Sequence, residues 1–141
     1  MIVLDANVLS ELARPNPAVA VQAWADGMPL AKFCTTAITE AELRFGLALL
    51  PPGRRRTDLA QAVEAVFTGV VGGRVLPFDR AAAQACAELA ARRRQAGHRV
   101  DTADLQIAAI ALARKLEAIA TRNARDFADC GVPVIDPWRA A

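Results

Sequence analysis

The chain has 141 residues, which is enough for one compact domain and too few for two ordinary ones. Its 54% of hydrophobic residues and 23% of charged residues exclude a disordered or collagen-like chain. The net charge of +2 does not by itself identify a nucleic-acid-binding protein, and three widely separated cysteines predict neither a disulfide framework nor a zinc site.

The first predicted element is a short apolar run, Ile2 to Leu4, which is typical of a buried strand and ends at Asp5. Because this segment has no basic start and is interrupted by Asp5, it lacks the pattern of a signal peptide. No apolar run approaches the ~20 residues that a membrane span needs. We therefore expect a cytoplasmic protein with no membrane attachment.

Helical stretches and apolar runs alternate through the rest of the first half. The sequence predicts two helices and a strand, at Asn7 to Arg14, about Pro17 to Asp26, and Lys32 to Ala37. The segment Thr39-Glu40-Ala41-Glu42 has the spacing of a capping box, and we expect it to open a helix that ends before Pro51. A further helix follows the run Arg54 to Arg56.

The second half begins with a predicted strand at Val75 and Leu76 and a helix from about Arg80 to Gln95. Asp101 or Thr102 then caps a helix that is apolar nearly all round, which predicts that this helix is buried. The last elements are a strand, a short helix capped by Asn123 and a final strand, at Glu117 to Thr121, Arg125 to Asp129, and Val132 to Ile135.

Short strands that alternate with helices predict an α/β fold in which residues 1–141 form a single domain. We expect a parallel sheet of roughly five strands with helices on both faces, a three-layer sandwich. In such folds the ligand site lies beyond the carboxyl ends of the strands.

Carboxylates follow strands or open helices at several of these positions. Asp5 directly follows the first strand, Glu42 lies in a first helical turn, and Asp104 opens the buried helix. Taken singly, each is also explained by helix capping or by the helix dipole. Together they predict a cluster at one sheet edge, of the kind that binds Mg²⁺ or Mn²⁺ and activates water against a phosphodiester.

Polar and basic residues surround the predicted cluster. Asn7 is placed to hydrogen-bond Asp5, and Asn123 and Asp126 follow the fourth strand at the same edge. Arg122 and Arg125 flank this edge, which makes them candidates for phosphate contact. The runs Arg54 to Arg56 and Arg92 to Arg94, with Arg99, are either solvated helix faces or phosphate contacts. His98 has no companion ligands, so we do not expect a histidine-based ribonuclease mechanism.

In chain order, six stretches of the sequence resemble the PIN-domain nucleases and, within them, the VapC and FitB toxins. They are MIVLDANVLSEL, TTAITEAELRFGLALLP, RVLPFD, DTADLQIAAIA, ATRNARDF and VPVIDPW. The resemblance covers essentially the whole chain and implies a PIN-like fold. It also implies that Asp5, Glu42 and Asp104 bind Mg²⁺ or Mn²⁺, and that Asn123 occupies a fourth catalytic position where the family often has aspartate. Asp126 lies one helical turn further on.

The resemblance also implies a function and partners. Toxins of this family cleave RNA, typically transfer or ribosomal RNA, and a cognate VapB-like or FitA-like antitoxin holds them inactive. Many are homodimers that reach operator DNA only through the antitoxin. We expect the helix from Asn7 to Arg14 and the helix carrying Leu43 and Leu47, with Trp24 nearby, to contribute to a dimer. An apolar groove is expected to accept an antitoxin segment whose basic side chain reaches the acidic cluster.

Two other functions remain open. A metal-dependent phosphatase on a similar sheet has Asp-x-Asp after its first strand, and the Asn7 of Asp5-Ala6-Asn7 argues against that class. A catalytically weak binding module with the PIN fold is favoured only by Asn123. Turnover of small phosphate esters and binding of Mn²⁺ distinguish these functions from a ribonuclease.

Overall fold

The computed structural model describes residues 1–99 and 101–140, and within them it contains a five-stranded sheet. The strands are β1 (Ile2–Leu4), β2 (Phe33–Thr36), β3 (Val75–Leu76), β4 (Ala118–Ala120) and β5 (Val134–Ile135). The α-helices are α1 (Ala6–Leu12), α2 (Val19–Asp26), α3 (Ala37–Ala48), α4 (Arg54–Gly69), α5 (Arg80–Gln95) and α6 (Thr102–Ala113). Short 3₁₀-helices cover Leu30–Lys32 and Ala124–Phe127.

The strand order is β3-β2-β1-β4-β5, and every neighbouring pair is parallel. The chain therefore winds outward from β1 through β2 to β3, and then returns to the other side of β1 for β4 and β5. The winding direction reverses between β1 and β4, where the Asp5 N–H donates to the Ala120 carbonyl at 3.0 Å. Ligands of open α/β sheets bind at such a reversal, beyond the carboxyl ends of the strands.

Alternation along the strands divides the core between the two faces of the sheet. On one face, Val3 and Ile119 pack with residues of α5 and α6, among them Leu89 and Ile107. On the other face, side chains of β1, β2 and β4 pack with helices α1, α2 and α4; they include Ile2, Leu4, Phe33, Ala118, Val8, Ala25 and Val63. The predicted three-layer α/β sandwich with helices on both faces is thereby confirmed. Within the described part of the chain, no helix combines the length and hydropathy that a membrane crossing needs.

Helix α6 is buried as its composition predicts, because six of its residues are buried; they are Leu105, Ile107, Ala108, Ala109, Ile110 and Ala111. Two local predictions were wrong. Helix α3 begins at Ala37 instead of Thr39, because the Thr36 hydroxyl caps it by accepting the Thr39 N–H at 3.1 Å. The helix expected at Arg125 to Asp129 is a single 3₁₀ turn over Ala124–Phe127.

Candidate functional site

Asp5 lies at the junction of β1 and α1, and it is 6% exposed. Its Oδ1 accepts the Ala6 N–H at 2.9 Å as the N-terminal cap of α1, and its Oδ2 accepts the Thr121 hydroxyl at 2.8 Å. Burial raises the pKa of this carboxyl, the Thr121 and Ala6 hydrogen bonds oppose that effect, and the charge of Asp126 adds to it. Asp5 is therefore both a helix cap and a carboxylate whose charge is not fully compensated.

Thr121 fixes the orientation of Asp5, and this is a role that the sequence did not reveal. It is fully buried, and its Oγ1 also accepts Asn7 Nδ2 at 3.3 Å and the Asn123 N–H at 3.1 Å. Asn7 was expected to bind Asp5 directly, which is wrong: its amide acts through Thr121, while its Oδ1 accepts the Arg122 N–H at 3.1 Å. The available signal was a threonine directly after β4.

Glu42 projects from α3, the helix that follows β2. Because the helix starts at Ala37, Glu42 lies in the second turn, so the predicted capping-box pairing with Thr39 is wrong. Desolvation of the carboxyl raises the pKa of Glu42, and the negative charges of Asp5 and Asp101 raise it further. Glu42 is thus electrostatically linked to the carboxylate of β1 although it comes from a different element.

Asp104 lies in the first turn of α6, where Asp101 caps the helix by accepting the Asp104 N–H at 3.0 Å. Partial burial is the main cause that raises the pKa of Asp104 from 3.8 to about 7. Four negative charges add to that rise, in the order Asp101, Asp126, Asp5 and Glu42. The pKa of Asp104 is therefore affected by every other carboxylate of the predicted cluster.

Asn123 follows β4 as predicted, but its side chain forms no capping bond to the 3₁₀ turn, so its predicted role as a helix cap is wrong. Its backbone N–H donates to Thr121 instead, which leaves the exposed side chain beside the cluster. Asp126, in the 3₁₀ turn itself, raises the pKa of both Asp5 and Asp104. Asp126 therefore adds negative charge to the cluster, whereas Asn123 contributes only a neutral amide.

These carboxylates chemically fit a hard divalent cation. They offer oxygen ligands, the charge of Asp5 raises the pKa of both Glu42 and Asp104, and none of the ion pairs formed within residues 1–99 and 101–140 includes Asp5, Glu42 or Asp104. Over the same residues, no group of three Asp, Glu, His or Cys side chains is arranged to hold an ion as it stands. Binding at a shared site thus requires side-chain movement.

Two concave surfaces adjoin the cluster. A cleft of about 260 Å³, which we call the Asp104 cleft, is lined by acidic and basic side chains, among them Arg93, His98, Arg99, Asp104, Arg125 and Asp126. An apolar groove of about 540 Å³ lies between α1, α3 and α4, with Glu42 in its wall beside Leu43, Leu47, Leu50, Leu59 and Val63. The cluster is therefore bordered by a charged surface on the α6 side and by an apolar one on the α3 side.

Comparison with known proteins gives consistent results across the chain. The family model of the PIN domain matches residues 2–132. The chain is 43% identical over 141 residues to the VapC ribonuclease Y4jK of Sinorhizobium fredii, with 100% of both chains covered. It is 39% identical over 138 residues to the toxin FitB of Neisseria gonorrhoeae, covering 98% of this chain and 99% of FitB. The solved structure of FitAB bound to an IR36 DNA fragment has a TM-score of 0.89 and 37% identity, covering 100% of this chain and 98% of that one.

Proposed function

The chain belongs to the PIN-domain family, and we propose that it is a metal-dependent endoribonuclease that acts as the toxin of a toxin–antitoxin pair. The observation that carries the proposal is the set of mutually repelling carboxylates at the winding reversal, contributed by Asp5, Glu42 and Asp104. Relatives that match the full chain are named a VapC ribonuclease and a toxin. By its resemblance to these toxins, the substrate is transfer or ribosomal RNA.

In this proposal Asp5, Glu42 and Asp104 hold Mg²⁺ or Mn²⁺, which when bound neutralises their charge and supplies an activated water for attack on a phosphodiester. Asp5 is the fixed member, because Thr121 and the α1 N-terminus both hold its oxygens. Because its pKa is raised to about 7, the Asp104 carboxyl is only partly ionised near neutral pH when no cation is present. Asn123 is a fourth catalytic residue that orients water or phosphate through its amide.

The Asp104 cleft is the proposed approach of the RNA. It combines Asp104 with the guanidinium groups of Arg93, Arg99 and Arg125. Arg93 is held in place because its Nη1 donates to the Ala128 carbonyl. Arginines contact phosphates without reading sequence, so they position the strand while the acidic cluster performs the chemistry.

The apolar groove between α1, α3 and α4 is the proposed antitoxin site. Its leucine-rich wall suits an apolar segment, and Glu42 in that wall connects it to the acidic cluster. A basic side chain of the antitoxin that reaches Glu42 competes with the metal, because both interact with the same negative charge. Since FitAB is described as bound to DNA, we propose that this chain reaches operator DNA only through its antitoxin.

A homodimer is also proposed, and we place its surface along the exposed side of α3. Leu43 and Leu47 are half-buried and line the apolar groove, and Trp24 packs against Phe33 with ring centroids 5.4 Å apart, so we assign these residues to the groove and the core. Two large apolar side chains are exposed along α3 and its C-terminal cap, Phe45 at 65% and Leu49 at 68%. One helical turn separates them, so they form one patch, which we propose as the dimer surface.

Cleavage of an RNA transcript with Mn²⁺, with EDTA, and by Asp5→Asn tests the function. We expect cleavage by the wild-type chain with Mn²⁺ only, and none by Asp5→Asn, which removes charge but little volume. Wild-type cleavage in EDTA would contradict the metal-dependent mechanism. Turnover of a small phosphate ester with no cleavage of RNA would favour the phosphatase, and absence of both activities with no Mn²⁺ binding would favour the binding module.

A further inference from the structure

Arg122 lies over an aromatic ring beside the acidic cluster. Its guanidinium carbon lies over the Trp138 ring, 4.8 Å from the ring centroid. Arg122 is exposed whereas Trp138 is half-buried against the core of α1, α2 and α4. The guanidinium therefore contacts the ring while the Arg122 side chain as a whole stays exposed to solvent.

The backbone of Arg122 is tied to the carboxylate of Asp5. Its N–H donates to Asn7 Oδ1 at 3.1 Å, and Asn7 and Asp5 are joined through the hydroxyl of Thr121. None of the ion pairs formed within residues 1–99 and 101–140 includes Arg122. The backbone of Arg122 is thus held relative to Asp5, and its guanidinium is located by the Trp138 ring.

A second cleft surrounds this guanidinium. The Arg122 cleft has a volume of about 400 Å³ and its charged and amide lining consists of Arg122, Asn123, Arg125, Asp126, Asp136 and Arg139. Arg125 and Asp126 also line the Asp104 cleft, so the two clefts share a wall. An endonuclease must accommodate a strand on both sides of the bond it cuts, and two adjoining clefts with arginines provide that space.

We propose that Arg122 and Trp138 form a nucleotide subsite for unpaired RNA, in which a base stacks on the open face of the Arg122 guanidinium. This inference rests on the proposed function. Arginine planes stack on bases that are splayed out of a duplex, whereas a lysine ammonium has no plane to stack. Arg125 and Arg139 in the same cleft contact the adjoining phosphates. The ligand class is therefore single-stranded RNA and not duplex.

The test is binding of a labelled short oligouridine in EDTA, measured by fluorescence anisotropy, so that cleavage does not interfere. Because the stacked base is lost from the complex, we expect R122Q and R122K each to weaken binding about tenfold, which corresponds to ~1.4 kcal/mol. Arg55 is exposed in the first turn of α4 and outside both clefts, which favours the solvated helix face over phosphate contact, so R55Q is the matched control that removes one arginine charge. We expect it to weaken binding by less than about twofold.

Salt dependence separates stacking from charge. R122K keeps the charge, so we expect it to bind more weakly than the wild type but with the same slope of log affinity against log salt concentration. If Arg122 also contacts a phosphate, the magnitude of that slope should be smaller by about one in R122Q. Wild-type affinity in R122K would overturn the stacking subsite. Equal affinities of R122Q and R55Q would overturn any role of Arg122 in RNA binding.

A measurement without a variant keeps the inference testable even if a substitution disturbs the fold. An abasic oligonucleotide of the same length should bind the wild-type chain about tenfold more weakly than oligouridine, and equal affinities would overturn the subsite. Cleavage is assayed separately with Mn²⁺. If R122Q and R55Q bind and cleave RNA alike, the subsite fails and the proposed function stands; if the wild-type chain cleaves no RNA, the function itself fails.

Discussion

Replacing Asp104 with asparagine should stabilise the metal-free protein at neutral pH. The raised pKa means that the folded state holds the Asp104 proton more tightly than the unfolded state does. The free energy of unfolding therefore falls as the pH rises from about 4 to about 7, through the ordinary and the folded pKa values. Asparagine has no proton to lose, so Asp104→Asn removes this loss of stability.

The magnitude follows from the pKa. A rise from 3.8 to about 7 corresponds to at most ~4 kcal/mol, at about 1.36 kcal/mol for each tenfold change in acidity. Because Asp104 is only partly buried, solvent screening reduces this to about 1–2 kcal/mol. We therefore expect Asp104→Asn to be more stable than the wild type by that amount above pH 7, and to differ little near pH 4.

Urea unfolding in EDTA at both pH values measures the effect. Asp58→Asn is the matched control, because Asp58 is an exposed carboxylate on α4 that forms no ion pair within residues 1–99 and 101–140. Added Mn²⁺ should stabilise the wild type and Asp58→Asn but not Asp104→Asn. The electrostatic reasoning would be refuted if Asp104→Asn were no more stable than the wild type above pH 7. It would also be refuted if the gain in stability near pH 4 were as large as the gain above pH 7.

Three further predictions concern positioning, inhibition and assembly. Thr121→Val keeps the volume but leaves the amide of Asn7 without its partner, so unfolding free energy should fall by ~1–3 kcal/mol and RNA cleavage should slow severely. The control is Thr35→Val, which removes a buried hydroxyl bonded to the Leu4 carbonyl at 2.8 Å. It should lower the free energy of unfolding by a comparable amount in the same urea assay but keep RNA cleavage. Equal cleavage rates of Thr121→Val and Thr35→Val would contradict the positioning role of Thr121. Inhibition of cleavage by the cognate antitoxin should weaken as salt or Mn²⁺ is added. Inhibition that changes with neither would contradict competition with the metal and indicate steric blockage. Phe45→Asp should convert a dimer to a monomer in light scattering, and a wild-type monomer would defeat the dimer proposal.

Much of the fold was readable from local pattern. The apolar run from Ile2 to Leu4 and the apolar composition of α6 correctly indicated buried elements, because buried positions are occupied by apolar side chains. The start of α3 was misplaced because Thr36 and Thr39 are both plausible caps, and only the end of β2 at Thr36 decides between them. Caps depend on where the preceding strand stops, which local sequence does not fix.

The acidic residues of the candidate site were predicted from local pattern, because Asp5 follows a strand and Asp104 opens a helix, whereas Glu42 lies one turn further into its helix than the pattern indicated. Their supporting contacts were not. Thr121 touches Asp5 only because β4 lies next to β1, and strand order is a tertiary property. The Arg122–Trp138 stack likewise depends on the path of the chain after β5. Contacts between residues far apart in the sequence leave no periodic pattern from which they could be predicted.

The central claim is that Asp5, Glu42 and Asp104 share one divalent ion, and a Mn²⁺ titration followed by electron paramagnetic resonance tests it most directly. We predict that the wild-type chain and Asp58→Asn bind Mn²⁺ alike, and that Asp5→Asn, Glu42→Gln and Asp104→Asn each lose most of that binding. Because Asp104 must release its proton, wild-type affinity should rise as the pH increases through about 7. Mn²⁺ binding that persists unchanged in all three variants would contradict the claim.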